Sequence, residues 1–156
     1  MDVTIYTDGS CLGNAGGTGY GGWGAVLTYK DAVKEISGNF SNTTNNRMEM
    51  TAAINALRSL KRKSSVTIYT DSRYLKDGIT LWMEKWIFDG KKYRNKNGKV
   101  IKNSDLWVKF IPLLKKHDVK WRWVRAHNGN KNNERADKLA GAAALKIKKQ
   151  NNTKRI

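Results

Sequence analysis

The chain has 156 residues, with 30 Lys and Arg against 13 Asp and Glu, for a formal charge of +17. That length suits one domain able to bury about 70% of the surface its unfolded chain exposes, and that charge calls for a polyanionic partner, either nucleic acid or an acidic membrane surface. Cys11 is the single cysteine, which excludes an intramolecular disulfide, and with only His117 and His127 beside it a Cys/His zinc cage is excluded as well. No apolar run approaches the ~18 residues of a membrane span and no basic-then-apolar leader opens the chain, so a soluble, cytoplasmic protein is expected.

Residues 3–8, VTIYTD, alternate apolar and polar with the period of a strand. The glycine-rich stretch that follows contains Gly17, Gly19 and Gly22 at the spacing of a dinucleotide fingerprint. That motif must open a helix. Here it leads into two β-runs around a Lys30-Asp31 turn, so the nucleotide reading is rejected and the glycines are assigned to close packing in a curved sheet. Thr44 or Asn45 then caps a helix through residues 45–61, on which Met50, Ala53, Ile54, Ala56, Leu57 and Leu60 share one apolar arc. Glu49 falls inside that arc. Either it snorkels to water at the arc's edge, or it is buried and needs a partner, because an isolated carboxylate costs several kcal/mol there.

VTIYTD returns at residues 66–71. A strand-helix-strand connection implies parallel strands and a right-handed crossover. Two copies side by side in register bring Asp8 and Asp71 to the same end and the same face, with backbones about 4.8 Å apart, where at least one carboxylate needs a proton or a cation. The plainer alternative leaves both as ordinary strand-ending turn residues. Residues 81–103 combine a short helical start, with Trp82 and Trp86 at i, i+4 on one face, and a loop rich in lysine. Aromatics inside a basic patch suit backbone tracking plus base stacking, while core packing is the alternative for each tryptophan. Residues 105–117 read as an amphipathic helix, and VKWRWV as a strand with Val119, Trp121 and Trp123 on one face. A polar loop holding His127 leads into an alanine-rich helix with Asp137 near its start, where the helix dipole favours negative charge. The ordered domain is placed at residues 1–145, with a basic, frayed tail over 146–156.

Asp8, Glu49, Asp71 and Asp137 thus form an acidic set inside a strongly basic chain, which makes sense if a hard divalent cation occupies it. Two such ions ~3.5–4 Å apart serve in-line phosphoryl displacement, and the basic surface would deliver a polyanion to them.

The stretches TDGSCLGN, TTNNRMEM, YTDS and NNERADKLA, in this order, resemble type 1 ribonuclease H of the bacterial kind with a basic protrusion, over roughly residues 2–145. The resemblance implies an α/β ribonuclease H-like fold, a five-stranded mixed sheet flanked by helices with the first and fourth strands adjacent and parallel. It also implies a monomeric endonuclease without an obligate protein partner or membrane, which cuts the RNA strand of an RNA/DNA hybrid duplex with two Mg²⁺ ions, Mn²⁺ being an expected substitute. Carried over, the metal-binding carboxylates are Asp8, Glu49, Asp71 and Asp137, and the mobile histidine of proton transfer and product release is His127. Gly9, Cys11 and Asn14 would lie against the RNA strand, where a 2′-hydroxyl can be read. Thr44 and Asn45 would contact the DNA strand, with Trp82 and Trp86 guiding it on the protrusion. Three positions depart from the pattern: Ala126 stands where many relatives have glycine ahead of the histidine, Arg73 where a bacterial relative has glutamine, and Lys85 where asparagine is frequent. A DNA-acting two-metal nuclease of the same fold and a non-catalytic nucleic-acid-binding module are the rival expectations.

Overall fold

The computed structural model describes residues 1–13, 19–126 and 129–154; Asn14 and His127 lie outside the described residues. Three antiparallel strands open the chain, β1 (Asp2–Leu12), β2 (Gly19–Tyr29) and β3 (Ala32–Thr43). The Lys30-Asp31 turn joins the last two, with Lys30 in the left-handed region at φ 52°. Helix α1 (Asn45–Arg58) carries the chain across to β4 (Ser65–Thr70), which pairs parallel with β1. The two copies of the repeated strand are in register, Val3 opposite Val66 through Tyr6 opposite Tyr69, and the two tyrosine rings stack with centroids 5.1 Å apart. A short α2 (Arg73–Asp77) leads to α3 (Ser104–Lys116), β7 (Asp118–Trp123) and α4 (Lys131–Lys154). The sheet order is β3-β2-β1-β4-β7, with β7 parallel to β4. Between α2 and α3 a minor hairpin of β5 (Ile87–Phe88) and β6 (Tyr93–Arg94) stands apart from the main sheet.

The alternation in β1 and β4 explains the layering. Val3, Ile5, Val66 and Ile68 are buried in one core with Met50, Ile54 and Leu57 of α1 and with Trp107 and Phe110 of α3. Burying side chains of this size contributes roughly 1.5–3 kcal/mol each. Thr44 is the N-cap of α1, its hydroxyl accepting the Arg47 N–H at 3.2 Å. The opposite face of the sheet is covered by α4, whose seat is made of glycine. A Cβ built on Gly24 would lie 2.7 Å from the Ala136 carbonyl oxygen and 3.0 Å from the Ala140 nitrogen. The helix therefore lies directly on the β2 backbone, the use of glycine that the sequence suggests.

Three expectations change. Trp82 closes a wide π-type turn (Gly78–Trp82), a 3₁₀ turn follows (Met83–Lys85), and Trp86 is extended, so the two tryptophans do not share one regular helix face. They meet all the same, with ring centroids 6.4 Å apart, because Trp86 also packs edge-on against the buried Trp107. Asp137 is the seventh residue of α4, beyond the first turn in which the dipole acts, and Glu134 holds the first-turn position. Finally, α4 remains helical to Lys154, past the point at Lys146 where the sequence suggests fraying. No helix of the described residues is long and apolar enough to cross a membrane.

Candidate active site and nucleic-acid groove

Asp8 opposes Gly24 across the β1–β2 ladder, and directly opposed residues point to the same face. The gap at Gly24 that admits α4 therefore lies beside the Asp8 side chain, and Asp137 arrives from that helix close enough to hydrogen-bond it. Glu49 comes from the other layer. A Cβ on Gly9 would lie 2.5 Å from the Glu49 nitrogen and 2.7 Å from the Met48 carbonyl carbon, so α1 presses on the strand at this point. The bare Gly9 N–H then donates to Glu49 Oε1 at 2.7 Å and to Asp8 Oδ1 at 2.9 Å. Glu49 Oε2 accepts the Thr70 hydroxyl at 3.4 Å, and Thr70 Oγ1 in turn accepts the Ser72 N–H at 3.1 Å. Asp71 follows Thr70 directly at the end of β4, its carbonyl accepting the Trp123 indole N–H at 3.0 Å.

Asp8, Glu49 and Asp71 each offer an oxygen within 4.8 Å of the others. Asp8 is 8% exposed and Glu49 2%. Burial pushes the Asp8 carboxyl up to about 7, with the charge of Asp71 and a hydrogen bond to Asp137 adding to the rise, while hydrogen bonds from Glu49 and Gly9 oppose it. Glu49 is held well above the ordinary carboxylate range, by burial first and by the charges of Asp8 and Asp71 next. Carboxylates gathered this closely favour a proton or a cation between them. The donors among the described residues are all carboxylate oxygens, which fit a hard divalent ion.

The four acids line one open cleft of about 400 Å³ together with Gly9, Cys11, Asn45 and Arg73. Past Cys11 and Asn45 it continues into a second depression of about 320 Å³ lined by Thr44, Asn46, Lys102 and Asn103. The structure therefore gathers Gly9, Cys11, Thr44 and Asn45 along one groove leading from the acids. The Cys11 thiol contacts the Thr43 carbonyl oxygen at 3.5 Å, and burial raises its pKa. Tyr74 and Asn103 were not singled out from sequence, yet they connect the two ends. Asn103 Nδ2 donates to the Tyr74 hydroxyl at 3.0 Å, and the Tyr74 ring lies edge-on to Trp82 at 5.6 Å. Arg47 fixes the groove wall through a bidentate pair with Asp105 at 2.8 and 3.0 Å and a bond to Asn103 Oδ1 at 3.2 Å. The signal for Tyr74 was its place in TDSRY, one turn past a cleft acid. Asn103 carried none, since its left-handed φ of 62° is a property of the fold. The lysine-rich segment is itself folded: Asp89 Oδ1 accepts the Lys91 and Lys92 N–H groups, and Oδ2 accepts Arg94 Nε at 2.7 Å.

Acids at the carboxyl ends of adjacent parallel strands, within a mixed sheet and beside a polar groove, define a metal-dependent hydrolase of phosphate esters. Comparison with known proteins narrows this. The ribonuclease H family model matches residues 1–145. Ribonuclease H of Francisella philomiragia is 51% identical over 146 residues, covering 94% of this chain and 93% of that protein. That of Francisella tularensis subsp. novicida is 50% identical over 145 residues, with coverages of 93% and 92%. The crystal structure of LC9-RNase H1, a type 1 ribonuclease H with the type 2 active-site motif, superposes with a TM-score of 0.80 at 36% identity, covering 92% of this chain and 72% of its own. A foamy viral protease-reverse transcriptase in complex with RNA/DNA hybrid shares the fold at 21% identity, with a TM-score of 0.77 and coverages of 91% and 20%. The chain belongs to the ribonuclease H family.

Proposed function

We propose that this chain hydrolyses the RNA strand of RNA/DNA hybrids endonucleolytically at the Asp8–Glu49–Asp71–Asp137 cleft, leaving 5′-phosphate and 3′-hydroxyl ends. The reading is carried by one observation: the repeated strand stands in register with itself, and three carboxylates converge within 4.8 Å at its end in a body of charge +17. Asp8, Glu49, Asp71 and Asp137 would hold two Mg²⁺ ions, with Mn²⁺ as a substitute. When bound, such ions supply Lewis-acid activation of water and neutralise charge on the phosphate in an in-line displacement.

The chain's own residues do the rest. Gly9 N–H and the Thr70 hydroxyl grip one oxygen each of Glu49, so that carboxylate is oriented before anything binds. The Gly9–Cys11 segment and Asn14 meet the RNA strand. Thr44 and Asn45 take the DNA strand on the far side of the groove, and the Trp82–Trp86 ledge with its lysines extends that contact. His127 carries a proton and assists product release. A monomer acting in the cytoplasm is part of this proposal.

The test is cleavage of labelled hybrid in Mg²⁺ against chelator, with duplex RNA and duplex DNA as controls and Asp71→Asn alongside. Mg²⁺-dependent cutting of hybrid RNA alone is expected, falling to background in the variant. Activity kept by Asp71→Asn, or equal cutting of duplex DNA, overturns the assignment.

A further inference from the structure

Arg73 opens α2 two residues after Asp71, with Ser72 as the N-cap holding the Leu75 N–H at 3.1 Å. Its side chain is exposed at the rim of the acidic cleft. The guanidinium lies over Trp123, 4.2 Å from the ring centroid. Trp123 is itself anchored. It forms the last rung of β7 opposite Thr70, and its indole N–H is bonded to the Asp71 carbonyl. One ring thus joins the backbone of a cleft acid to a cation at the cleft's edge. Arg47, Arg94 and Arg135 are each committed to an acidic side chain, at 2.6–2.8 Å, whereas the described residues give Arg73 no ion-pair partner.

A guanidinium that stacks by its face keeps its N–H donors around its edge, in the fork that matches two phosphate oxygens. Stacking also restrains the long side chain beforehand, so less freedom is lost on binding. We propose that Arg73 is a phosphate clamp at the mouth of the cleft, holding the backbone of the bound hybrid on the Trp123 platform; this rests on the function proposed above. It is a substrate-binding residue and not a catalytic one, because it would touch the backbone of the hybrid and not the reacting atoms.

The experiment is binding of a fluorescent RNA/DNA hybrid in chelator over roughly 50–200 mM salt, paired with steady-state cleavage in Mg²⁺. Losing one phosphate contact flattens the slope of log K against log salt by about 0.9. Arg73→Gln is expected to show that flattening, to weaken binding on the order of fivefold at the low-salt end, and to raise KM at unchanged kcat. Arg73→Lys should keep the slope, since the charge remains. Trp123→Phe, which keeps a ring, should bind as wild type, and Trp123→Leu, which removes the platform but not the charge, should keep the slope while weakening binding and raising KM. A wild-type slope and KM in Arg73→Gln would overturn the clamp, as would a loss confined to kcat. Wild-type protein that neither binds nor cuts hybrid would instead overturn the function itself, a separately visible result.

Discussion

The Asp8 and Glu49 carboxyls are held above the ordinary carboxylate range, and that has a thermodynamic consequence. The Asp8 carboxyl sits at about 7 in the folded chain against 3.8 when unfolded. The groups facing it are Glu49 from α1, Asp71 after β4 and Asp137 from α4. Below the unfolded value both states are protonated and Asp8 costs nothing. As pH rises through the folded value, the folded state must give up a proton it prefers to keep, so stability falls across roughly pH 4–7. Glu49 acts in the same direction. In chelator, Asp8→Asn should therefore match wild type only below about pH 4 and exceed it by roughly 1–3 kcal/mol at pH 8. Saturating Mg²⁺ should close or reverse that gap, because only wild type retains the full set of anionic ligands. Urea or thermal unfolding at the two pH values checks this, and a gap that shrinks with rising pH would contradict it.

At the scale of elements, the cleft depends on how closely two helices seat on bare strand backbone. Gly24→Ala puts a methyl 2.7 Å from the Ala136 carbonyl and 2.7 Å from Leu139 Cβ, and α4 must lift. Overpacking of this kind costs about 1–3 kcal/mol, and here it also draws Asp137 away from Asp8. Cleavage at saturating substrate should need more Mg²⁺ than in wild type, even at temperatures where the variant is fully folded. Gly141→Ala is the control: nothing lies within 4 Å of the added methyl, and alanine in a helix gains up to ~1 kcal/mol over glycine. Equal Mg²⁺ requirements in both variants would refute the seating argument. These helices also show what the sequence could disclose. Register and face were legible because VTIYTD occurs twice and strand alternation is local. The apolar arc of α1 left Glu49 either buried or at the arc's edge, and only the contact with Gly9 shows that it is buried and what receives it. The Trp82–Trp86 ledge was misjudged in form, since a π turn and a 3₁₀ turn replace the regular helix where Trp107 draws Trp86 inward. His117 carried no role in sequence beyond the exclusion of a zinc cage, yet it is buried, its Nδ1 accepting the Ser64 N–H at 3.1 Å to tie the end of α3 to the start of β4. Such long-range partners leave no periodic trace.

Taken as a whole, the molecule segregates its charge. Of its 13 acidic residues, Asp8, Glu49, Asp71 and Asp137 are gathered in the cleft, while Glu35, Asp89 and Asp105 are neutralised by arginines, so the chain's formal excess of 17 positive charges is carried by the rest of the molecule. Binding and chemistry are therefore carried by separate groups. A duplex engaging the groove and the lysine-bearing protrusion releases its condensed counterions, and that release, rather than contact with the acids, supplies most of the affinity. In chelator, hybrid affinity should fall by at least about a thousandfold between ~50 and ~200 mM salt if some six phosphates are neutralised. Asp71→Asn, expected not to cut, should bind as tightly as wild type or more tightly under the same conditions, because it removes one negative charge from the path of a polyanion. A fluorescence-anisotropy salt titration of both proteins decides the matter. A shallow slope would mean that the basic surface does not track the backbone. Weaker binding by the variant would mean that the acids themselves hold substrate and that the two functions are not separable.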